Sequence, residues 1–456
     1  MSFKKSEMNW LSLLNSKRLG DDSSSCTTDR TAFQRDFDRI IFSSSFRRLQ
    51  SKTQVFPLPK IDFIHTRLTH SLETSSVGRS LGSIVGKYIT EVKHKELLKY
   101  GITHETFSTI VSNACLAHDI GNPPFGHSGE SSVSEYFRSA RAEKFLDKLS
   151  LDEIIGLQNF EGNALGFRIL THTQPNTSSV KGGLQLTFAT LGSFTKYPKK
   201  ATLLPPTLGV SDKKYGFFES EKDIFSEVAG ELGLLKKSGR DYSWYRHPLA
   251  FLVEAADDIC YRIIDLEDGV KLNLLPFELV ENLLLQIIGD DFVKVKYDSL
   301  YDNGERLNYL RAKSISKLVN ECAEIFIKNE EFIIKGEFDF PLIEKLNCSN
   351  ILKKIEEISV ERIYNCHKVI EIDAAGFEII SGLLDVFLNA VLGPDTYKNV
   401  NNRKLIPKQF LIENIDLKTK YYDAILNITH FISGMSDTFA LNTYKAINGL
   451  SLPEYL

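Results

Sequence analysis

The segment HDIGNPPFGHSGE, residues 118–130, sets His118, Asp119, His127 and Glu130 within a short run punctuated by glycine and proline. Imidazole and carboxylate are the usual ligands of a hard or borderline divalent metal. The residues before it, Ile110 to Leu116, are mostly apolar, and a buried helix has no need of an adjacent His and Asp at its end. Proline lacks an amide donor and restricts the residue before it, so the Gly-Asn-Pro-Pro break ends that helix. A new helix starting near Ser128 places His127 and Glu130, three residues apart, within reach of each other. One short segment thus offers a metal pair, a sharp turn and a second His/carboxylate pair. The blander alternative is a capped helix–turn–helix with incidental histidines.

A single His-Asp pair rarely holds a metal alone, so further ligands are needed. His70 lies in HTRLTHSLETSSVGRSLG at the start of an amphipathic helix. Asp257 lies in HPLAFLVEAADDICYRIIDLEDG, a helix whose apolar face is interrupted by acids. Asp257, Tyr261 and Asp265 are spaced four apart and drift only about 40° per step, so they share one face. An Asp, a Tyr and an Asp on one face of an apolar helix suit the wall of a polar cavity, although a surface stripe has the same spacing. By chemistry alone, Asp258 and Glu254 are equally good ligands.

The elements that must position these groups are mainly helical. Apolar residues recur at helical spacing over 71–93, 106–120, 127–148 and 247–267, and again over 276–288, 306–329, 376–392, 420–433 and 436–447. Alternating patterns are few, with 55–58 (VFPL) and 331–340 (EFIIKGEFDF) the best candidates for small strands or hairpins. Residues 173–220 are rich in Thr, Gly, Lys and Pro and read as an insertion or long loop near the site rather than core.

A 456-residue chain with 42% hydrophobic and 25% charged residues can build a large core. Its formal net charge of -4 argues against bulk electrostatic binding of nucleic acid, though not against a local basic site. The six cysteines form no CxxC pair and read as buried free thiols in a reducing compartment. The N-terminus lacks the apolar core of a signal peptide, and no run approaches the roughly 18 consecutive apolar residues of a membrane span. The expectation is a soluble cytoplasmic protein without a membrane partner. With no clean linker, the reading is a single body over 1–456, with a metal-binding core at about 60–270 and a C-terminal helical region at about 271–456.

The order His70 … His118-Asp119 … Asp257 resembles the H…HD…D signature of the HD-domain metal phosphohydrolases. RRLQSKTQVF at 47–56, TRLTHS at 66–71, HDIGNPPFGHSGE at 118–130, FEGNALGFRIL at 160–170, LTFATLGSFTKYP at 186–198, EAADDICYRIIDLED at 254–268 and ISGMSD at 432–437 carry the likeness further. Together they resemble the bacterial deoxyguanosine triphosphate triphosphohydrolase family over nearly the whole chain.

That resemblance implies a mainly α, HD-type helical fold with a C-terminal helical extension and one or two small β hairpins. It implies metal ligands at His70, His118, Asp119 and Asp257. Asp257 is preferred to Asp258 because family members carry a tyrosine four residues on and an aspartate eight residues on, matched by Tyr261 and Asp265. Those two are expected to pack on the deoxyribose and bond its 3′-hydroxyl, with Tyr261 excluding a 2′-hydroxyl. Gln54 and Arg67 match positions contacting the nucleoside and α-phosphate, and Asn163, Lys196 and Lys214 match positions around the triphosphate. His127 and Glu130 match the catalytic pair.

The implied reaction is hydrolysis of a deoxynucleoside triphosphate, dGTP first, to a deoxynucleoside and inorganic triphosphate, assisted by Mn²⁺, Mg²⁺, Fe²⁺ or Co²⁺. The resemblance also implies a homo-oligomer, often a hexamer; activation by a second dNTP or by single-stranded DNA occurs in some relatives and has no readable motif in this sequence. The alternatives are an HD-type phosphodiesterase or nucleotidase on another phosphate ester, and a nucleotide- or DNA-binding regulator without catalysis. His430 and Ser436 depart from common family residues, but neither is a proposed ligand.

Overall fold

The computed structural model describes residues 7–20, 29–54, 65–173, 182–206, 209–412 and 420–451. Helices dominate the described residues. We label those that position the site: α1 Arg67–Tyr88, α2 His104–Ala117, α3 Gly126–Arg138, α4 Gly162–Thr171, α5 Phe188–Phe194, α6 Pro248–Lys271, α7 Phe277–Ile288, α8 Asn303–Ile334, α9 Ser349–Ser359, α10 His367–Leu392, α11 Tyr421–Ser433 and α12 Asp437–Ile447.

Local sequence sets where the key helices begin. The Thr66 hydroxyl accepts from the Thr69 amide, and the Thr69 hydroxyl accepts from the Thr66 amide at 3.0 Å, a reciprocal cap that starts α1 one turn before His70. At the head of α6, Pro248 occupies the first turn, where its missing donor costs nothing, and His247 Nδ1 accepts from the Leu249 amide at 3.1 Å. α1 lies close against α2. A Cβ at Gly82 would stand 2.9 Å from the Phe107 carbonyl oxygen, so glycine is what permits that approach.

The buried apolar residues form two clusters. The first joins α1, α2, α5 and α6 with α7, α8 and α9. The second joins α3 with α10, α11 and α12. α4 straddles them, giving Phe167 and Leu170 to the first and Ala164 and Leu165 to the second. The helices beyond 270 therefore divide between both clusters. α10 is the one described helix long and apolar enough to cross a membrane. Its buried residues Ile379, Ile380, Leu383, Leu384, Phe387 and Leu388 build the second cluster.

Two expectations are corrected. Residues 331–340 form no hairpin: α8 runs on to Ile334 and the chain turns at Gly336, which has φ +68°. Extending an existing helix adds a bond for each residue fixed, so the long helix overrides a short alternating pattern. Ile333 and Ile334 are buried in the first cluster. The other candidate, 55–58, lies outside the described residues. Pairing among the described residues amounts to isolated bridges such as Thr53 with Thr66. Nor is 173–220 all loop. All seven residues of α5 are buried, and its capping Thr187 is held by buried Asp36, whose Oδ2 accepts from the hydroxyls of Thr187 at 2.6 Å and Thr190 at 2.8 Å.

Candidate active site

Three helices converge on one buried point. α1 brings His70 from its first turn, the end of α2 brings His118 and Asp119, and α6 brings Asp257. Ligand atoms of His70, His118 and Asp119 all lie within 4.8 Å of one another. Asp257 Oδ1 stands 3.1 Å from His70 Nε2 and 3.3 Å from His118 Nε2. His118 Nδ1 lies 2.6 Å from the Cys115 carbonyl, so Nδ1 carries the proton and the Nε2 lone pair faces the cluster. That Nε2 is buried without a hydrogen-bond partner among the described residues. His70, His118 and Asp119 grouped in this way, with Asp257 beside both imidazoles and one buried nitrogen left unpaired, fit a divalent cation. Asp258 stands apart: its Oδ1 accepts from Arg262 at 2.9 Å, and burial pushes its carboxyl up to about 6.

Two cations balance the carboxylates. Lys196 Nζ donates to Asp257 Oδ2 at 2.5 Å, and Arg67 Nη1 donates to Asp119 Oδ2 at 2.7 Å. Burial opposes ionisation of both acids, but Lys196 with His118 and Arg67 with His118 outweigh it. Asp257 is held well below the usual carboxylate range and Asp119 at about 2. Asn122 Nδ2 donates to Asp119 Oδ1 at 2.5 Å. Thus Arg67 and Lys196, matched by resemblance to phosphate-contacting positions, rest here on the carboxylates of the cluster.

The His/carboxylate pair lies one turn further along the chain. His127 Nδ1 is 3.0 Å from Glu130 Oε2, and Glu130 Oε1 accepts from the Gly162 amide at 2.7 Å. The His127 side chain is 94% exposed, whereas that of Glu130 is 13% exposed. The bond to Glu130 raises the imidazole above its ordinary value, against some burial and the charges of Arg67 and Lys214. Burial works against ionised Glu130, but His127, Lys214 and the Gly162 amide hold its carboxyl low. Beside it, Lys214 Nζ donates to Glu161 Oε2 at 2.9 Å. Burial and the neighbouring Glu130 charge push Glu161 up to about 7, while Lys214 and the Asn163 side chain pull it down.

Along α6 the face chosen from spacing is continuous. The Tyr261 ring stacks on Tyr364 at 5.9 Å between centroids, and the Tyr364 hydroxyl donates to Asp265 Oδ2 at 2.5 Å. Burial pushes Asp265 up to about 7 despite that bond. Gln54 has a buried Oε1 with no partner among the described residues. Sequence reasoning missed Tyr364, Glu161, Lys52 and Asn122. Glu161, Lys52 and Asn122 sit inside motifs already recognised. Tyr364 ends a single π-helical turn, Val360–Tyr364, in a stretch without any motif.

A buried His/Asp cluster at the junction of α1, α2 and α6, followed directly by a turn and a His–Glu pair, defines an HD-domain site. The HD domain family model matches residues 67–162, which contain His70, His118, Asp119, His127 and Glu130. The chain is 42% identical over 454 residues to a deoxyguanosinetriphosphate triphosphohydrolase-like protein of Synechocystis sp., covering 98% of this chain and 100% of that one. It is 39% identical to a protein of the same name from Pseudomonas aeruginosa, again over 98% of this chain and all of the other. A deoxyguanosinetriphosphate triphosphohydrolase of Yersinia pestis is 31% identical over 91% of this chain and 93% of its own length. The chain belongs to the deoxyguanosinetriphosphate triphosphohydrolase family of HD-domain, metal-dependent hydrolases.

Proposed function

We propose that this protein hydrolyses deoxynucleoside triphosphates, dGTP foremost, to the deoxynucleoside and inorganic triphosphate. The observation that carries this reading is the juxtaposition of the His70–His118–Asp119–Asp257 cluster with the His127–Glu130 pair and the lysines Lys196 and Lys214. Water adds to the α-phosphorus and the bond to the nucleoside 5′-oxygen breaks, so that oxygen must gain a proton and the water must lose one. A divalent cation held by His70, His118, Asp119 and Asp257 would lower the pKa of bound water and offset charge on phosphoryl oxygen.

The protein's own groups do the rest. Glu130 holds His127 through Nδ1, which leaves Nε2 as the atom that accepts or delivers a proton. An imidazole raised by its carboxylate partner is charged over more of the neutral range and suits protonation of a departing oxygen. Lys214 and Asn163, both bonded to Glu161, face the triphosphate, and Lys214 leaves Glu161 to do so; Lys196, Arg67 and Gln54 meet the phosphates and nucleoside nearer the cluster. Tyr261, braced by Tyr364, packs on the sugar where a 2′-hydroxyl would have to fit, and Asp265 takes the 3′-hydroxyl.

The test is incubation with each of the four dNTPs and with GTP, in Mn²⁺ or Mg²⁺, followed by chromatography. Triphosphate and deoxynucleoside, with dGTP fastest, are the expected products. Release of pyrophosphate or monophosphate, or equal rates on GTP and dGTP, would overturn the reading.

A further inference from the structure

We propose that Asp437, at the start of α12, is a positioning residue for the His127–Glu130 pair and acts through the backbone of Phe125. This rests on the reading of that pair as the proton-transfer groups. Phe125 is the residue before α3 and has φ 62° and ψ 19°, a left-handed conformation that non-glycine residues rarely adopt. No side chain caps the helix at this point. Its amide instead donates to Asp437 Oδ1 at 3.0 Å. The other oxygen of Asp437 accepts from Thr53, at 2.8 Å from the hydroxyl and 3.2 Å from the amide.

An acid in the first turn of a helix ordinarily faces that helix's own amides. In α12, Ser436 already does so by accepting from the Phe439 amide at 3.2 Å. Asp437 is 2% exposed and committed to two other segments. Lys52 ties the same parts at a second point, its Nζ donating to the carbonyls of Asn122 and Ser433, both at 2.6 Å. From behind, the Phe125 ring packs on Gly376 of α10, where a Cβ would stand 2.8 Å from the ring. Phe125 is therefore gripped by its amide on one side and its ring on the other, two residues before His127.

The geometry gives this grip a catalytic meaning. Glu130 is anchored to α4 through the Gly162 amide, whereas His127 is 94% exposed and is placed by the first turn of α3. If Phe125 relaxes, that turn shifts and the imidazole moves relative to its carboxylate, while the metal-type cluster on α1, α2 and α6 stays. A misplacement of about 1 Å can cost about 10²-fold in rate.

The experiment measures kcat and KM for dGTP, bound metal and melting temperature for Asp437→Ala, Asp437→Asn and Gly376→Ala. Asp437→Ala should lower kcat by about 10²-fold with KM and metal content changed less than twofold. Asp437→Asn should fall between it and the unmodified protein, because one of its two oxygens is lost. Gly376→Ala pushes Phe125 from the other side with the carboxylate intact, and alanine in place of glycine favours a helix. A kcat loss there without a fall in melting temperature supports the proposal. Unchanged kcat in all three, or losses in KM, metal or melting temperature that account for the rate, would overturn it. If the unmodified protein hydrolyses no dNTP, the functional reading fails and the clamp is tested separately. Hydrogen exchange over 120–131 should then rise selectively in Asp437→Asn, and unchanged protection would refute it.

Discussion

The cluster on α1, α2 and α6 and the His127–Glu130 pair on α3 share the 118–130 segment but are held in opposite ways. His70 and His118 have side chains 3% exposed, on helices of the first apolar cluster. Each carboxylate of that cluster has its own cation, Lys196 or Arg67. The pair sits on a helix of the second cluster, with an exposed imidazole and a buried carboxylate. The difference separates two demands. Binding a cation calls for rigid, desolvated ligands, whereas moving a proton calls for a group that reaches solvent and substrate. The substitutions that follow should divide along the same line.

The largest effect is expected in the cluster. Asp257→Ala should abolish both bound metal, read by elemental analysis, and activity, whereas Asp258→Ala should keep the metal because Asp258 is occupied by Arg262. The reverse result would exchange their roles. Next comes the pair. His127→Ala should lower kcat by about 10²–10⁴-fold while metal and nucleotide still bind, and Glu130→Gln should cost less because it can keep a hydrogen bond. An emptied metal site in His127→Ala would erase the distinction drawn between the two regions.

A smaller change is expected on α6. Tyr261→Ala should narrow the dGTP:GTP preference in kcat/KM by about tenfold or more, leaving metal content alone. An unaltered ratio would take sugar selection away from Tyr261. The smallest effect is one of stability. Burial lowers the His65 imidazole, but bonds to Asp268 at 2.8 Å and to Glu73 outweigh it and raise the group to about 10. A raised folded-state value means that the stabilisation is fully present below the ordinary histidine value of about 6.5 and is lost as pH climbs through about 10. The melting-temperature gap between the unmodified chain and His65→Gln should be widest at pH 6 and close above pH 10. A gap independent of pH would contradict this.

Legibility in the sequence followed the range of the interactions. Helices such as Pro248–Lys271 could be read because their apolar spacing repeats over many turns. The 257–261–265 face was readable for the same reason. Residues 331–340 misled because a short alternating pattern competes with a helix already under way. α5 hid within a Thr- and Gly-rich stretch because its anchor, Asp36, lies about 150 residues away in sequence. Tyr364 and Asp437 were silent for a similar reason. What each does depends on a partner that only tertiary packing supplies, Asp265 for one and the Phe125 amide for the other.

The two cations beside the cluster have a further consequence. Asp119 and Asp257 bring two negative charges, and Arg67 and Lys196 return two positive ones, so each carboxylate is offset by a cation of the protein itself. A zinc finger collapses when stripped because metal binding supplies its folding free energy. Here a chelator should silence the enzyme and lower its melting temperature without unfolding it, and one preparation should accept different divalent ions in turn. The protein would then behave as a refillable socket, its activity following whichever ion the surroundings supply.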